Sequence, residues 1–290
     1  MLETVEDVLE KLEENEYLAD ENLATVLFLA YRLPKPLLVE GPAGVGKTEL
    51  AKVAADILNA RLIRLQCYEG LEESRALYEW NYQQQLLKIQ SDYREKKSWQ
   101  ETRGDIFTQE FLLKRPILET LMSRDPVVLL VDELDKSDAQ FESFLLEALS
   151  DFQVSIPEIG TVKAKRIPFV VLTSNNTREF DDALKRRCLH LYIDYPDFQR
   201  ELAILNLKIP DLSASLARQL THFVQNLRSL PLKKAPGISE TLDWARTMVI
   251  LGTPYLEAEL VEKTLPVLLK NQQDVKKVES KISSLLSGAE

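Results

Sequence analysis

The run Gly41-Pro42-Ala43-Gly44-Val45-Gly46-Lys47-Thr48 constrains this chain more than any other feature. It fills the pattern G-x-x-x-x-G-K-S/T completely. Glycines let a loop curl until successive backbone N–H groups point inward, the arrangement that cradles phosphate oxygens. A following helix adds its positive N-terminal end at the same spot. In that pattern Lys47 reaches the β- and γ-phosphates of a nucleotide and the Thr48 hydroxyl binds Mg²⁺. The candidate phosphate-contacting set is thus Gly41, Pro42, Ala43, Gly44, Val45, Gly46, Lys47, Thr48 and Glu49. The flanks agree with the motif. Pro36–Glu40 reads as a short apolar strand and Lys47–Leu58 as a helix, whereas an accidental glycine-rich turn would need neither.

The hydrophobic period then alternates along the chain. Strands are expected at Arg61–Cys67, Val127–Val131, Phe169–Thr173 and His190–Ile193, with helical stretches at Gln109–Ser123, Ala139–Asp151 and Asp182–Arg187. Val127–Val131 is an unbroken apolar run, the mark of a strand buried on both faces. Strands alternating with helices imply an α/β fold, a three-layer αβα parallel sheet. Residues 4–33 read as helical, and Pro34 and Pro36 end that segment. Beyond Tyr195-Pro196 the pattern is helical throughout, at Gln199–Leu207, Ser213–Leu227, Ser239–Leu251 and Tyr255–Lys270. Three parts are expected: an N-terminal helical segment (1–35) on the core, a nucleotide-binding domain (36–196) and a smaller all-helical lid (197–290). The polar tail Lys276–Glu290 is expected to fray.

Binding alone would not make a catalyst. Val127–Val131 runs into Asp132-Glu133, placing two carboxylates at the C-terminal edge of a strand, where parallel sheets bind ligands. Asp132 is the candidate to hold Mg²⁺ through water, and Glu133 to polarise the attacking water as general base. The competing reading is an acidic helix start serving the macrodipole. That plainer role is the one expected of Asp135 and Asp138.

Net charge is −10. An acidic chain repels phosphate backbones, so broad nucleic-acid or anionic-membrane binding is disfavoured. Cys67 and Cys188 sit in apolar runs and read as reduced and buried. With His190 and His222 they show no metal-ligand spacing. Met1–Tyr17 is acidic and lacks a signal-peptide pattern, and no apolar run has the length of a membrane span. A cytoplasmic chain is expected.

The order of phosphate loop, strand with Asp132-Glu133, strand Phe169–Thr173 ending in Ser174-Asn175, Arg186-Arg187 and a helical domain resembles the AAA+ ATPases, over about residues 20–250. The resemblance implies ATP and Mg²⁺ as cofactors. It implies that Asn175 acts as sensor 1, positioning the lytic water. It also implies that Arg187, with Arg186, is an arginine finger reaching the ATP of a neighbouring subunit, so a ring, by family habit a hexamer, is expected. The plainer readings are a strand-end turn for Asn175 and solvated helix-end arginines for the pair.

Leu38–Ala51 and Leu149–Val162 look most like the MoxR group, the latter as a hairpin before sensor 1. Cys67–Gly70 and Ala76–Tyr82 resemble a subgroup that includes the accessory ATPase of carbon-monoxide dehydrogenase maturation. That resemblance implies a chaperone that remodels or activates a client protein, a metalloenzyme, with a von Willebrand A-domain partner. The sensor-2 arginine of that group is missing: Gly237-Ile238-Ser239-Glu240-Thr241 stands in its place, and Arg246 is the nearest substitute. The aromatic-rich Glu69–Thr102 segment is either a client-facing insert or a surface helix, Gln83–Lys97, with aromatics packed at its base. The alternatives are a nucleic-acid-associated NTPase motor, against which the charge speaks, and a small-molecule kinase, which would lack the Asp-Glu, Asn and Arg series. No base-specific motif of the GTPase type appears, which leans towards ATP.

Overall fold

The computed structural model describes residues 2–95 and 97–286. Among the described residues there are nine strands: β1 (Leu37–Glu40), β2 (Arg61–Gln66), β3 (Tyr78–Trp80), β4 (Leu112–Lys114), β5 (Val127–Asp132), β6 (Gln153–Ile156), β7 (Gly160–Lys163), β8 (Phe169–Ser174) and β9 (Leu189–Tyr192). Five of them form one sheet in the order β2-β5-β8-β1-β9. The β2–β5, β5–β8 and β1–β8 pairings are parallel. β5 and β8 are central and buried along their whole length. That is why their sequences are continuous apolar runs rather than alternating ones. β2 is an edge strand and alternates over its second half: Ile63 and Leu65 are buried, while Arg64 between them is exposed. Helices cover the sheet, making the three-layer αβα fold of an AAA+ core with a helical C-terminal region.

Contacts divide the described residues into two compact units. One draws on 1–11, 20–40 and 48–191, the other on 12–19, 41–47 and 192–290. In the first, Leu38, Leu65, Leu129 and Leu172 from the sheet pack with Phe141 and Leu145 of the helix Ala139–Ser150. In the second, the helices Phe198–Lys208, Ala214–Arg228, Ile238–Leu251 and Ala258–Leu268 bury Leu205, Leu220, Phe223, Trp244 and Leu265 together. Glu201 is fully buried there. It holds Arg228 through two 2.7 Å bonds and accepts from Thr241 and Gln225. Among the described residues no helix is long and apolar enough to cross a membrane.

Several expectations are corrected. Residues 4–33 form two helices, Val5–Glu14 and Glu21–Arg32. Glu16 turns left-handed at φ 55°, and the Asp20 carboxylate caps the second helix by accepting from Leu23 N–H at 2.7 Å. Gln109–Ser123 is not one helix but a 3₁₀ turn, strand β4 and the helix Pro116–Met122. Pro116 forces Arg115 into extended backbone (φ −96°, ψ 171°) and starts the helix behind it. β4 pairs antiparallel with β3, a two-stranded sheet the sequence pattern did not reveal. The hairpin within Leu149–Val162 is present as β6–β7. The tail does not fray over its described length: Val278, Ile282 and Leu285 are buried in the helical core. Residues 287–290 lie outside the described residues. In the aromatic segment the surface helix is present, three residues shorter at its end than expected. Tyr82–Arg94 is a helix, with Trp80 buried edge-on against Phe107 at 5.3 Å, yet Tyr82, Tyr93 and Trp99 are exposed.

Candidate functional site

The loop 41–47 carries the conformation its glycines permit. Gly44 has φ +78°, and a side chain there would sit 2.6 Å from Ser239 Oγ and 2.8 Å from the Glu240 carboxylate. Gly41, at φ +148°, would push a Cβ to 1.9 Å from the Ile193 carbonyl oxygen. Neither position admits another residue without rearrangement. Lys47 is buried, and its ammonium donates to the carbonyls of Gly41 (2.8 Å) and Pro42 (2.6 Å). The loop therefore curls around its own lysine, holding a positive charge at the mouth of the helix Lys47–Ile57. Ser239 N–H donates to the Gly44 carbonyl at 3.2 Å, so the start of the helix Ile238–Leu251 rests on the loop. Arg246 lies seven residues further along that helix, roughly 10 Å by helical rise. It is paired with Asp243 at 3.2 Å. Glu49 in the first turn pairs with Lys52.

Thr48 and the end of β5 meet directly. Thr48 Oγ1 donates to Asp132 Oδ1 at 3.0 Å, with Oδ2 at 3.3 Å. Asp132 is 2% exposed. Thr173 of β8 also donates to its Oδ1, at 2.5 Å, and Arg64 of β2 donates to its Oδ2, at 2.5 Å. Register explains the cluster: β5 lies between β2 and β8, so both neighbours can reach its last residue. A buried carboxylate beside a threonine hydroxyl is an all-oxygen donor pair. It suits Mg²⁺, which keeps several waters and binds through one or two protein oxygens plus phosphates rather than in a protein cage. No cluster of three His, Cys, Asp or Glu fit for a metal occurs among the described residues.

Glu133 follows in left-handed backbone, φ 55° and ψ 47°. Its N–H donates to Thr173 Oγ1 at 3.0 Å, anchoring the turn. Its carboxylate accepts from Gln66 Nε2 at 2.8 Å and from Lys136 Nζ at 2.5 Å. That bond raises the Lys136 ammonium above its ordinary range. Gln66, Arg64 and Thr173 went unnoticed in the sequence. The signal for the first two was there: polar residues two apart in the alternating strand RLIRLQ, hence on one face.

Asp135 is more than a helix-start charge. It is buried, accepts from the Asn175 backbone N–H (3.1 Å) and from Thr177 Oγ1 (2.6 Å), and so fixes the loop leaving β8. Arg178 of that loop donates to the Asp135 carbonyl and pairs with the buried Glu142. Asp138 caps the helix Ala139–Ser150 through Phe141 N–H, the plain role expected of it. Arg186 and Arg187 stand apart from this cluster's bonds. Both are exposed at the end of the helix Asp182–Arg187, Arg186 near Asp182 and Arg187 donating to the Ala183 carbonyl. Cys67 and Cys188 are buried free thiols. Burial pushes each up to about 12, and at Cys67 the Asp132, Asp135 and Glu133 charges add to it.

The chain is similar in sequence and fold to several known proteins. The chain is 22% identical to the uncharacterized protein SH1500 of Staphylococcus haemolyticus over 82% of its own length and 85% of that protein's. It is likewise 22% identical to the uncharacterized protein SERP0979 of Staphylococcus epidermidis, over 77% and 78%. Among solved structures it is similar to two variants of Thermotoga maritima RuvB. One has a TM-score of 0.52 at 18% identity, covering 88% of this chain and 71% of RuvB. The other has 0.50 at 17% identity, covering 91% and 70%. At such identity the likeness is one of fold. Residues 37–195, over half the chain, match the "ATPase family associated with various cellular activities (AAA)", and the chain belongs to that family.

Proposed function

We propose that this protein is an ATP-hydrolysing AAA+ machine of the MoxR type, assembled as a ring, that remodels a client protein. The observation that carries the catalytic part is the Thr48–Asp132 contact. One hydroxyl and one buried carboxylate stand together one residue beyond the lysine of the phosphate loop. Thr48 and Asp132 would hold Mg²⁺, which when bound would supply positive charge against the charge developing on the phosphates. Backbone N–H groups of 41–47 grip the phosphates, and Lys47 exchanges its loop carbonyls for phosphate oxygens. Glu133, on the adjoining turn, takes the proton of the attacking water. Asn175 orients that water, and Asp135 holds Asn175 in place through its backbone N–H.

Arg187, with Arg186, supplies its guanidinium to the nucleotide of a neighbouring copy, a role its exposure permits. The helical part, about 197–290, serves as the lid. Ser239 and Glu240 stand beside the loop where the MoxR resemblance would put a sensor-2 arginine, while Arg246 pairs with Asp243 further along the helix. The chaperone role, the metalloenzyme client and the von Willebrand A-domain partner rest on the motif resemblance. The exposed Tyr82, Tyr93 and Trp99 suit a client-contacting segment. Lys47→Ala tests the foundation: ATP binding, read by calorimetry, should fall below detection and turnover with it. Undiminished binding and turnover would sink the reading.

A further inference from the structure

Arg64 lies on the edge strand β2 and reaches across to the last residue of β5. Its task there follows from burial. Asp132 is 2% exposed, and a buried carboxylate is costly unless a charge compensates it. Thr48 and Thr173 offer hydroxyl dipoles to Asp132 but no charge. Arg64 offers a full one, with Nη2 2.5 Å from Oδ2. The same nitrogen lies 2.5 Å from Gln66 Oε1, so the guanidinium is braced from behind.

We propose that Arg64 is an internal counter-cation of Asp132 that competes with the divalent ion for this carboxylate. The inference rests on the reading of Asp132 as the divalent-ion residue. Arg64 Nη2 takes an acceptor position on Oδ2 and brings a positive charge beside it, so the divalent ion and its waters compete with Arg64 for this carboxylate. Leaving is feasible because the Arg64 side chain is half exposed, at 51%. A guanidinium keeps its charge at every working pH, so the competition responds to cation concentration and not to protons. The site is thereby held intact without metal, at the expense of metal affinity.

The test titrates MnCl₂ into the full-length protein saturated with ADP, reading free Mn²⁺ by electron paramagnetic resonance. Calorimetric ADP binding in EDTA, for every variant, serves as control. Arg64→Gln removes the competing charge and should tighten Mn²⁺ about tenfold, while Arg64→Lys keeps the charge and should stay within about threefold of the parent. Tenfold corresponds to about 1.4 kcal/mol. Gln66→Leu removes the brace, together with the Gln66 bond to Glu133, and leaves every charge in place. It should give an intermediate gain, and it carries the test if Arg64→Gln does not fold. In metal-free buffer Arg64→Gln should also melt lower than the parent and recover when Mn²⁺ and ADP are added, a reversal that plain loss of packing would not produce. Unchanged or weaker Mn²⁺ binding in the Gln and Leu variants would overturn the inference, as would an Arg64→Lys protein binding as tightly as Arg64→Gln. A parent protein that binds no ADP under either condition would overturn the nucleotide reading first and this inference with it.

Discussion

Within one hydrogen-bonded cluster, neighbouring carboxylates have opposite constraints. Asp132 is buried and held by Thr48 and Thr173, with Arg64 as the counter-cation proposed to yield to the metal. Glu133 is a third exposed and held by two flexible polar side chains, Gln66 and Lys136. A fixed ligand and a movable base are what the two proposed roles require. Glu133→Gln keeps the shape and an acceptor oxygen but cannot take a proton. Nucleotide affinity should therefore stay within a few-fold of the parent while turnover falls about 10²–10⁴-fold. A variant turning over at the parental rate would remove Glu133 from its role. Sequence alone made Lys47, Thr48, Asp132 and Glu133 legible because a motif fixes their type and spacing. It left Thr173, and the partner of Arg64, illegible: RLIRLQ puts Arg64 and Gln66 on one face, but what they meet is set by strand register, which no local pattern states. Asp135 was under-read for a related reason: an acid two residues after a strand looks like a helix start until the loop from β8 is seen folded onto it.

Elements followed their periodicity where burial was uniform. β5 and β8 are apolar throughout and were placed within a residue or two. The lid helices were similarly clear, since proline separates them. Errors fell where a short polar motif overrides the period, as at Asp20 and Pro116, and where a three-residue strand such as β3 or β4 is too short to show alternation. The two thiols bear on the sheet directly, since Cys67 follows β2 and Cys188 precedes β9. Both are raised to about 12 from an ordinary 9. A thiol reagent at pH 8 should label neither in the native protein and both in denaturant; rapid native labelling would contradict their burial. The sign for stability follows from linkage. The buried neutral thiols contribute fully below about pH 9, and their contribution is lost as pH rises towards 12, because the unfolded chain ionises first.

In the proposed ring, the exposed arginines would make one active site from two chains. Arg186 and Arg187 make only local contacts at the tip of their helix, which fits residues that work on a neighbour. ATP turnover per chain should therefore rise with protein concentration and then level off. Arg187→Ala should lower the plateau about a thousandfold without loss of nucleotide binding. A specific activity flat on dilution would argue for a self-sufficient chain. One further consequence concerns Glu133, which sits in left-handed backbone although it carries a Cβ. Such a residue costs about 1–2 kcal/mol, and asparagine tolerates the conformation better. Any search for heat-resistant versions of this protein would thus be drawn towards Asn at that position, and the variants that survive boiling best should be the ones that no longer burn fuel.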